Sequence, residues 1–163
     1  LDPQKLGKFD LVIACEVLEH IAHGDQFIHQ LKKFLNPGGH LLITTPNGRY
    51  FRSKLPTHSQ IKDFSALEHL QFEPDSSGHL YLYTREELEG MLGKCGFEDF
   101  KTDLSTTPWL SGHMGLRFLP SFRALFPIYY FLDYIFTRVS RRLRERVCTQ
   151  MITVARLSPN RSN

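Results

Sequence analysis

The chain has 163 residues, of which 41% are hydrophobic and 23% are charged, the ordinary composition of a globular domain. A net charge of +3 is too small to indicate nucleic-acid binding by itself, and the opening stretch LDPQKLGKFDLV predicts no signal peptide. The cysteines Cys15, Cys95 and Cys148 are odd in number and lack CxxC spacing, which argues against a disulfide framework or structural zinc and predicts a reducing, cytoplasmic compartment.

The first part of the chain predicts a strand, a helix and a second strand. Residues 9–15 (FDLVIAC) form an apolar run without alternation, typical of a strand that helices bury on both faces of a parallel sheet. Apolar residues at helical spacing follow, and the helix is predicted to end at Asn36-Pro37-Gly38-Gly39. Residues 40–45 (HLLITT) then predict a second buried strand, which completes a βαβ unit.

A long loop and a second helix follow this unit. Residues 47–79 are irregular in pattern and predict a functional loop. Thr84 and Glu87 have the spacing of a capping box. The apolar face of the helix that it opens is predicted to consist of Leu88, Met91, Leu92 and Cys95.

Two further strands, residues 97–104 and 147–157, are predicted to flank a helical insertion over residues 105–146. Residues 125–136 are apolar almost all round a helix. Five arginines follow within nine residues: Arg138, Arg141, Arg142, Arg144 and Arg146. One interpretation is a lid helix over a substrate pocket, and the other is a membrane-surface segment whose arginines meet anionic lipid. The segment is too short to span a bilayer, which takes about 20 apolar residues. We therefore divide the chain into a main body, residues 1–104 and 147–163, and this insertion.

The sequence Glu16-Val17-Leu18-Glu19-His20 directly follows the first predicted strand. Ligands of open α/β sheets bind beyond the carboxyl ends of the strands, so these residues are candidates for a reaction centre. On a helical turn Glu16, Glu19 and His20 share one face and could hold a divalent cation, Mg²⁺ or Mn²⁺. A histidine acting as general base without metal, and a purely positioning role, remain alternatives.

Three segments in this order, FDLVIACEVLEHI, NPGGHLLITTPN and HLYLYTREELEGMLGKCGFE, resemble class I S-adenosylmethionine-dependent methyltransferases of the ubiquinone-biosynthesis and related lipid or sugar methylase group. The resemblance covers roughly residues 9–104. It implies the C-terminal half of an α/β, Rossmann-like fold: strands four to seven, with an antiparallel last strand. It also implies S-adenosylmethionine as cofactor and methyl transfer to an oxygen of a small or lipid-like acceptor. Pro46-Asn47 resembles the TPN common in this group and is thereby implied to shape the mouth of the pocket.

Two cofactor-binding features of the family are missing from this sequence. Gly38-Gly39 follows a helix, so it is not the Gly-rich turn after the first strand, and no acidic residue ends a second strand to bind the ribose. The resemblance therefore implies that the chain is inactive alone, and that a missing N-terminal half or a second copy completes the sheet. Cofactor contacts are implied for Cys15, Glu16 and Val17, at the end of the fourth strand; a small buried side chain is the alternative for Cys15.

The resemblance also implies a metal site. The same ExxEH pattern, here Glu16, Glu19 and His20, is a magnesium site in ubiquinone-pathway O-methyltransferases. In small-RNA 3′-end 2′-O-methyltransferases a further histidine in an H-x4-T-R-E context completes the site, and His79 stands in that context. His20 and His79 are likewise the candidate catalytic bases.

Three functions remain open from the sequence. The first is O-methylation of a small or lipid-like acceptor, in the cytoplasm or peripherally at the inner membrane face. The second is RNA 2′-O-methylation, disfavoured because the arginines follow an apolar helix rather than lining an open basic groove. The third is a non-catalytic module that binds a partner.

Overall fold

The computed structural model describes residues 2–71, 78–106, 126–136, 138 and 140–159. Its strands form a four-stranded sheet in the order β1-β2-β4-β3, with the following bounds: β1 Phe9–Cys15, β2 Leu35–Pro46, β3 Phe97–Ser105 and β4 Gln150–Leu157. The described helices are α1 Pro3–Leu6, α2 Gly24–Lys32, α3 Arg85–Lys94, α4 Phe126–Phe136 and α5 Arg141–Val147. β1 pairs in parallel with β2 across α2, and β4 runs antiparallel to β2 and β3. The predicted βαβ unit and antiparallel last strand are confirmed.

Two strands begin elsewhere than predicted. β2 starts at Leu35, so the predicted turn at residues 36–39 lies within an irregular beginning of the strand. The chain is held there because the Asn36 amide donates to Asp10 Oδ1 at 2.8 Å and the Phe9 N–H donates to the Phe34 carbonyl at 2.7 Å. β4 starts at Gln150 rather than at residue 147, because α5 continues through Val147.

Helices α2 and α3 cover one face of the sheet. The capping box of α3 is formed as predicted, with the Thr84 N–H donating to Glu87 Oε2 at 2.7 Å, and the four predicted apolar residues of α3 are buried. Ile28 from α2 and Leu92 from α3 join the strands in one hydrophobic core. The strand residues in this core alternate along each strand, as expected for a sheet covered on one side: Ala14, Leu41, Ile43, Met151, Ala155 and Leu157.

The other face of the sheet is open within the described residues. β1 was predicted to be buried on both faces, and this is wrong here: Leu11 is 49% exposed and Ile13 is 57% exposed. Ile13 lies opposite Leu42, and Leu42 lies opposite Val154, so the apolar side chains of this face continue across the sheet, where Leu42 and Val154 are half-buried. β1 is also an edge strand. Its unpaired edge and apolar face are the kind of surface that proteins normally cover.

The long loop contains more helix than its irregular sequence pattern predicts. The loop holds two 3-10 helices, His58–Gln60 and Ser65–Leu70, while residues 72–77 lie outside the description. Within the predicted insertion the structure describes α4 and α5, whereas residues 107–125, 137 and 139 lie outside the described part of the chain. Most described side chains of α4 are exposed: Ile128, Tyr130, Phe131, Leu132, Tyr134 and Ile135. Among the described helices, none combines the length and the apolar character needed to cross a bilayer.

Candidate active site

The segment that follows β1 turns sharply at the carboxyl end of the strand. Glu16 adopts a left-handed backbone conformation with φ of 51°, and its N–H donates to the Thr44 carbonyl at 2.9 Å. The chain then enters a 3-10 helix, Leu18–His20. Because β1 and β2 are parallel, both strands end at this edge of the sheet, where open α/β sheets bind ligands. The residues after β1 are therefore placed at the candidate reaction centre.

Glu19 is fully buried, and its two carboxylate oxygens have different surroundings. Oε2 accepts a hydrogen bond from the Thr45 hydroxyl at 3.0 Å, whereas Oε1 is buried and accepts none from any described residue. Burial raises the pKa of the Glu19 carboxyl, and this effect outweighs the opposing hydrogen bonds from its own backbone and from Thr45. A buried carboxylate oxygen without a donor is costly unless a cation or a ligand faces it.

Two histidines lie beside this carboxylate. The Leu80 N–H donates to the Glu19 carbonyl at 2.8 Å, which brings His79 next to Glu19. His79 Nε2 lies 4.0 Å from Glu19 Oε1, and the rings of His20 and His79 meet edge to face with centroids 4.9 Å apart. His20 Nδ1 lies 3.2 Å from the Gly78 carbonyl oxygen. Since a carbonyl only accepts, Nδ1 carries the proton, and Nε2 of the neutral ring is left as a base or a metal ligand.

Glu19, His20 and His79 together form a candidate metal site. Each offers one ligand atom, and these atoms all lie within 4.8 Å of one another. One carboxylate oxygen and two imidazole nitrogens could hold a divalent cation, and water ligands would complete the oxygen-rich shell that Mg²⁺ or Mn²⁺ prefers. The unsatisfied Oε1 of Glu19 is what a cation at this position would neutralise. The structure therefore brings together three of the four predicted ligands, Glu19, His20 and His79.

Glu16, the fourth predicted ligand, lies outside this described cluster. Its Oε1 accepts hydrogen bonds from the Thr44 hydroxyl at 2.9 Å and from the Gln150 amide at 3.2 Å. The left-handed turn at Glu16 separates it from the 3-10 helix that carries Glu19, so the two do not occupy successive turns of one helix. Glu16 lines the neighbouring cavity instead.

A cavity of about 390 Å³ lies at this edge of the sheet, with both Glu16 and His79 in its lining. Pro46 and Asn47 line it as the sequence predicted. Asn47 is buried, and its amide donates to the carbonyls of Glu145 at 2.7 Å and Cys148 at 2.8 Å. Thr149 and Gln150 also line the cavity, and they carried no signal in the sequence because they lie far along the chain from Glu16 and Asn47.

The residues implied to touch the cofactor lie at the same edge. Cys15 and Glu16 are exposed and Val17 is half-buried, so the alternative of a buried Cys15 is wrong. Exposed backbone and side chains at the end of β1 fit one side of a ligand that lies over the strand ends. They do not supply the Gly-rich turn or the ribose-binding acid, so the chain fits S-adenosylmethionine only in part.

Comparisons with known proteins agree with this fold. The methyltransferase-domain family matches residues 2–102. The chain is 51% identical over 39 residues to the mitochondrial ubiquinone biosynthesis O-methyltransferase of Mus musculus, which covers 24% of this chain and 10% of that protein. It is 42% identical over 41 residues to the ubiquinone biosynthesis O-methyltransferase of Caulobacter vibrioides, covering 25% of this chain and 16% of that protein.

These matches thus span less than a fifth of either relative. Among solved structures, the cyclase SpnF is similar with a TM-score of 0.52 and 18% identity, over 97% of this chain and 55% of that chain. At this identity the likeness shows the fold alone. The family match extends over well more than half of the chain, and the sheet has the antiparallel last strand expected of the fold. The chain therefore belongs to the class I S-adenosylmethionine-dependent methyltransferases.

Proposed function

We propose that this chain forms the acceptor-binding part of an O-methyltransferase that acts on a hydroxyl of a small or lipid-like molecule. The observation that carries the proposal is the buried Glu19 carboxylate, whose Oε1 has no described hydrogen-bond donor and faces His20 and His79. S-adenosylmethionine, when bound, supplies an activated methyl group. The task left to the chain is to bind the acceptor, orient its hydroxyl and remove the proton.

Two routes for removing that proton are compatible with these residues. In the first, Glu19, His20 and His79 hold Mg²⁺ or Mn²⁺, which would lower the pKa of a bound hydroxyl. In the second, His20 Nε2 accepts the proton directly while Nδ1 stays bonded to the Gly78 carbonyl. We favour the metal because a buried carboxylate oxygen without a donor calls for a positive partner. Either route also benefits from orientation of the acceptor against the methyl group.

The cofactor site is proposed to be completed by residues outside this chain. The unpaired edge of β1 and the exposed face around Leu11 and Ile13 support this proposal. An N-terminal half that adds strands beside β1 would cover both, and a second copy is the alternative. The Gly-rich turn would arrive with the N-terminal half.

The cavity and α4 support the proposed acceptor class. A cavity of about 390 Å³ suits a small ligand or the head of a larger one. Tyr130, Phe131 and Tyr134 are exposed on α4, and arginine-rich α5 follows shortly after. An apolar helix beside cations is typical of peripheral membrane contact, so we propose a cytoplasmic protein that meets the inner membrane face to reach a lipid-like acceptor. The alternative of a lid helix remains.

The proposal is tested by offering three acceptors to the native protein with radiolabelled cofactor. A catechol probe has adjacent hydroxyls that can chelate a cation, whereas a primary amine has no hydroxyl. An RNA oligonucleotide offers the hydroxyls of its terminal ribose. We expect label in the catechol, lost in Glu19→Gln and His79→Ala. Label in the RNA instead would establish the nucleic-acid alternative. No label in any acceptor, with the protein folded, would favour the partner-binding module.

A further inference from the structure

A cleft of about 910 Å³ opens between α3, α5 and the loop after β2. It is separate from the cavity beside Glu19, and the two share none of their lining residues. Five arginines line it: Arg49, Arg85, Arg141, Arg142 and Arg146. The acidic lining consists of Glu86 and Glu145, so five positive and two negative side chains leave an excess of three positive charges.

The two carboxylates form ion pairs with Arg49 and Arg85. Arg49 reaches Glu86 at 3.1 Å and Glu145 at 3.2 Å. Arg85 reaches the same two carboxylates at 2.9 and 3.7 Å. Both glutamates therefore already share their charge between guanidinium groups. Within the described parts of the chain, Arg142 and Arg146 lie within ion-pair distance of no carboxylate, and both are exposed toward solvent.

Helix α5 is held against the body by hydrogen bonds to its backbone and by Arg144, which pairs with Asp103 and donates to the Leu104 carbonyl at 2.6 Å. The Asn47 amide donates to the Glu145 carbonyl at 2.7 Å, and the Phe51 N–H donates to the Arg146 carbonyl at 2.9 Å. Asn47 also lines the cavity beside Glu19, so one anchored loop borders both spaces. The guanidinium groups of Arg142 and Arg146 are therefore positioned by the fold while remaining available to a ligand.

We propose that this arginine cleft binds a phosphate group. Guanidinium groups match phosphate oxygens in geometry and bind them through paired charge-assisted hydrogen bonds. Three surplus positive charges exceed what a single carboxylate would neutralise, and they suit a doubly charged phosphate. The arginines thus line an open cleft, contrary to the expectation from the sequence, but none of the described lining residues is an aromatic side chain on which a nucleic-acid base could stack. The phosphate would belong either to a soluble phosphorylated molecule or to a phospholipid headgroup.

The test measures binding without cofactor, so its outcome is independent of methyl transfer. Inorganic phosphate is titrated calorimetrically at constant ionic strength, and vesicles of phosphatidylglycerol or phosphatidylcholine are tested by sedimentation. The double variant Arg142→Gln/Arg146→Gln should weaken binding roughly tenfold or more, because it removes two charge-assisted partners. The matched control is Lys5→Gln/Lys62→Gln, which removes the same charge from two exposed positions outside the cleft and should bind as the wild type does.

A second variant tests the same site in the opposite direction. Glu86→Gln removes a competing carboxylate from the lining and should tighten phosphate binding by roughly two- to fivefold, which misfolding would not produce. Binding of inorganic phosphate that the double variant loses assigns a soluble ligand. Binding to phosphatidylglycerol vesicles alone, lost in the same variant, assigns a lipid headgroup. If neither probe binds, or if the double variant binds like its control, the proposal is wrong.

Discussion

Glu19 places a carboxylate in the core with one hydrogen-bonded oxygen and one that no described residue satisfies. Removing such a charge from water costs several kcal/mol unless a partner compensates it. This desolvation cost occurs at the end of β1, where a ligand can approach Glu19. Burial of a charged group at such a position is a common mark of a functional site.

The first prediction concerns stability with and without a cation. In excess chelator, Glu19→Gln should raise the free energy of unfolding by about 1 kcal/mol or more, because an amide is cheaper to bury than an unpaired carboxylate. Adding Mn²⁺ should then stabilise the wild type, by about 2.7 kcal/mol at a hundredfold excess over its dissociation constant, but not the variant. Thermal and urea unfolding measure both effects.

Glu16→Gln is the matched control for this experiment. Retained stabilisation by Mn²⁺ would mean that Glu19, His20 and His79 suffice, and its loss would restore Glu16 as the fourth ligand. A wild type that does not respond to Mn²⁺, together with a Glu19→Gln variant that is less stable in chelator, would contradict the metal site.

The spacing of Glu19 and His20 could be read from the sequence, and so could the context of His79. The position of Glu16 could not, because periodicity assumes one regular helix and the chain instead makes a left-handed turn there. The pairing of His79 with Glu19 depends on a backbone hydrogen bond from Leu80 across the fold. Such a contact leaves no local pattern.

At the scale of the elements, the packing of α2 against Tyr83 depends on a glycine, Gly24. A Cβ built on Gly24 would lie 2.4 Å from the hydroxyl oxygen of Tyr83, which is fully buried and hydrogen-bonded to Tyr81 at 3.0 Å. We therefore predict that Gly24→Ala destabilises the protein by about 1–3 kcal/mol through overpacking. Gly90 in α3 has open space at its Cβ position.

Gly90→Ala is thus the control, and it should stabilise by about 0.4–1 kcal/mol through helix propensity and reduced unfolded-state entropy. Urea unfolding of the two variants gives the comparison. Equal effects would show that the start of α2 packs less tightly against Tyr83 than described.

The apolar face of β1 provides the next prediction. If further residues cover this face in the native protein, Ile13→Lys should lower its unfolding free energy by about 2 kcal/mol or more, since it buries an unpaired charge. Leu6→Lys is the control, because Leu6 is 51% exposed against 57% for Ile13 but lies in α1, off the sheet. Chemical denaturation of both should separate them. Two small and equal losses, within about 0.5 kcal/mol, would mean that the face is bare.

The elements with strong local signals were predicted correctly, and those set by tertiary contacts were not. The capping box at Thr84 fixed the start of α3 because its two hydrogen bonds are local. The start of β2 depends on hydrogen bonds to Phe9 and Asp10 from another strand, which the turn residues 36–39 did not reveal. The burial of β1 was not predicted correctly. An apolar run indicates that both faces of a strand need to be covered, but it does not show whether the residues of this chain cover them.

For the molecule as a whole, the exposed apolar side chains of α4 predict contact with a membrane. This contact can be tested independently of methyl transfer. Phe131→Glu should reduce sedimentation with phosphatidylglycerol vesicles at least several-fold, because it places a charge in the apolar helix. Leu6→Glu is the control, since Leu6 is 51% exposed but lies in α1, away from α4 and from the arginine cleft. Unchanged vesicle binding in Phe131→Glu, or no binding by the wild type, would leave α4 as a lid.

Methyl transfer by the native protein in excess chelator tests the central claim most directly, because the claim is that a cation held by Glu19, His20 and His79 ionises the acceptor hydroxyl. We predict that chelator abolishes transfer to a catechol acceptor and that Mg²⁺ or Mn²⁺ restores it. The restoration should fail in Glu19→Gln. Full activity in excess chelator, falling only with the protonation of a histidine as pH decreases, would contradict the metal and leave His20 as the general base.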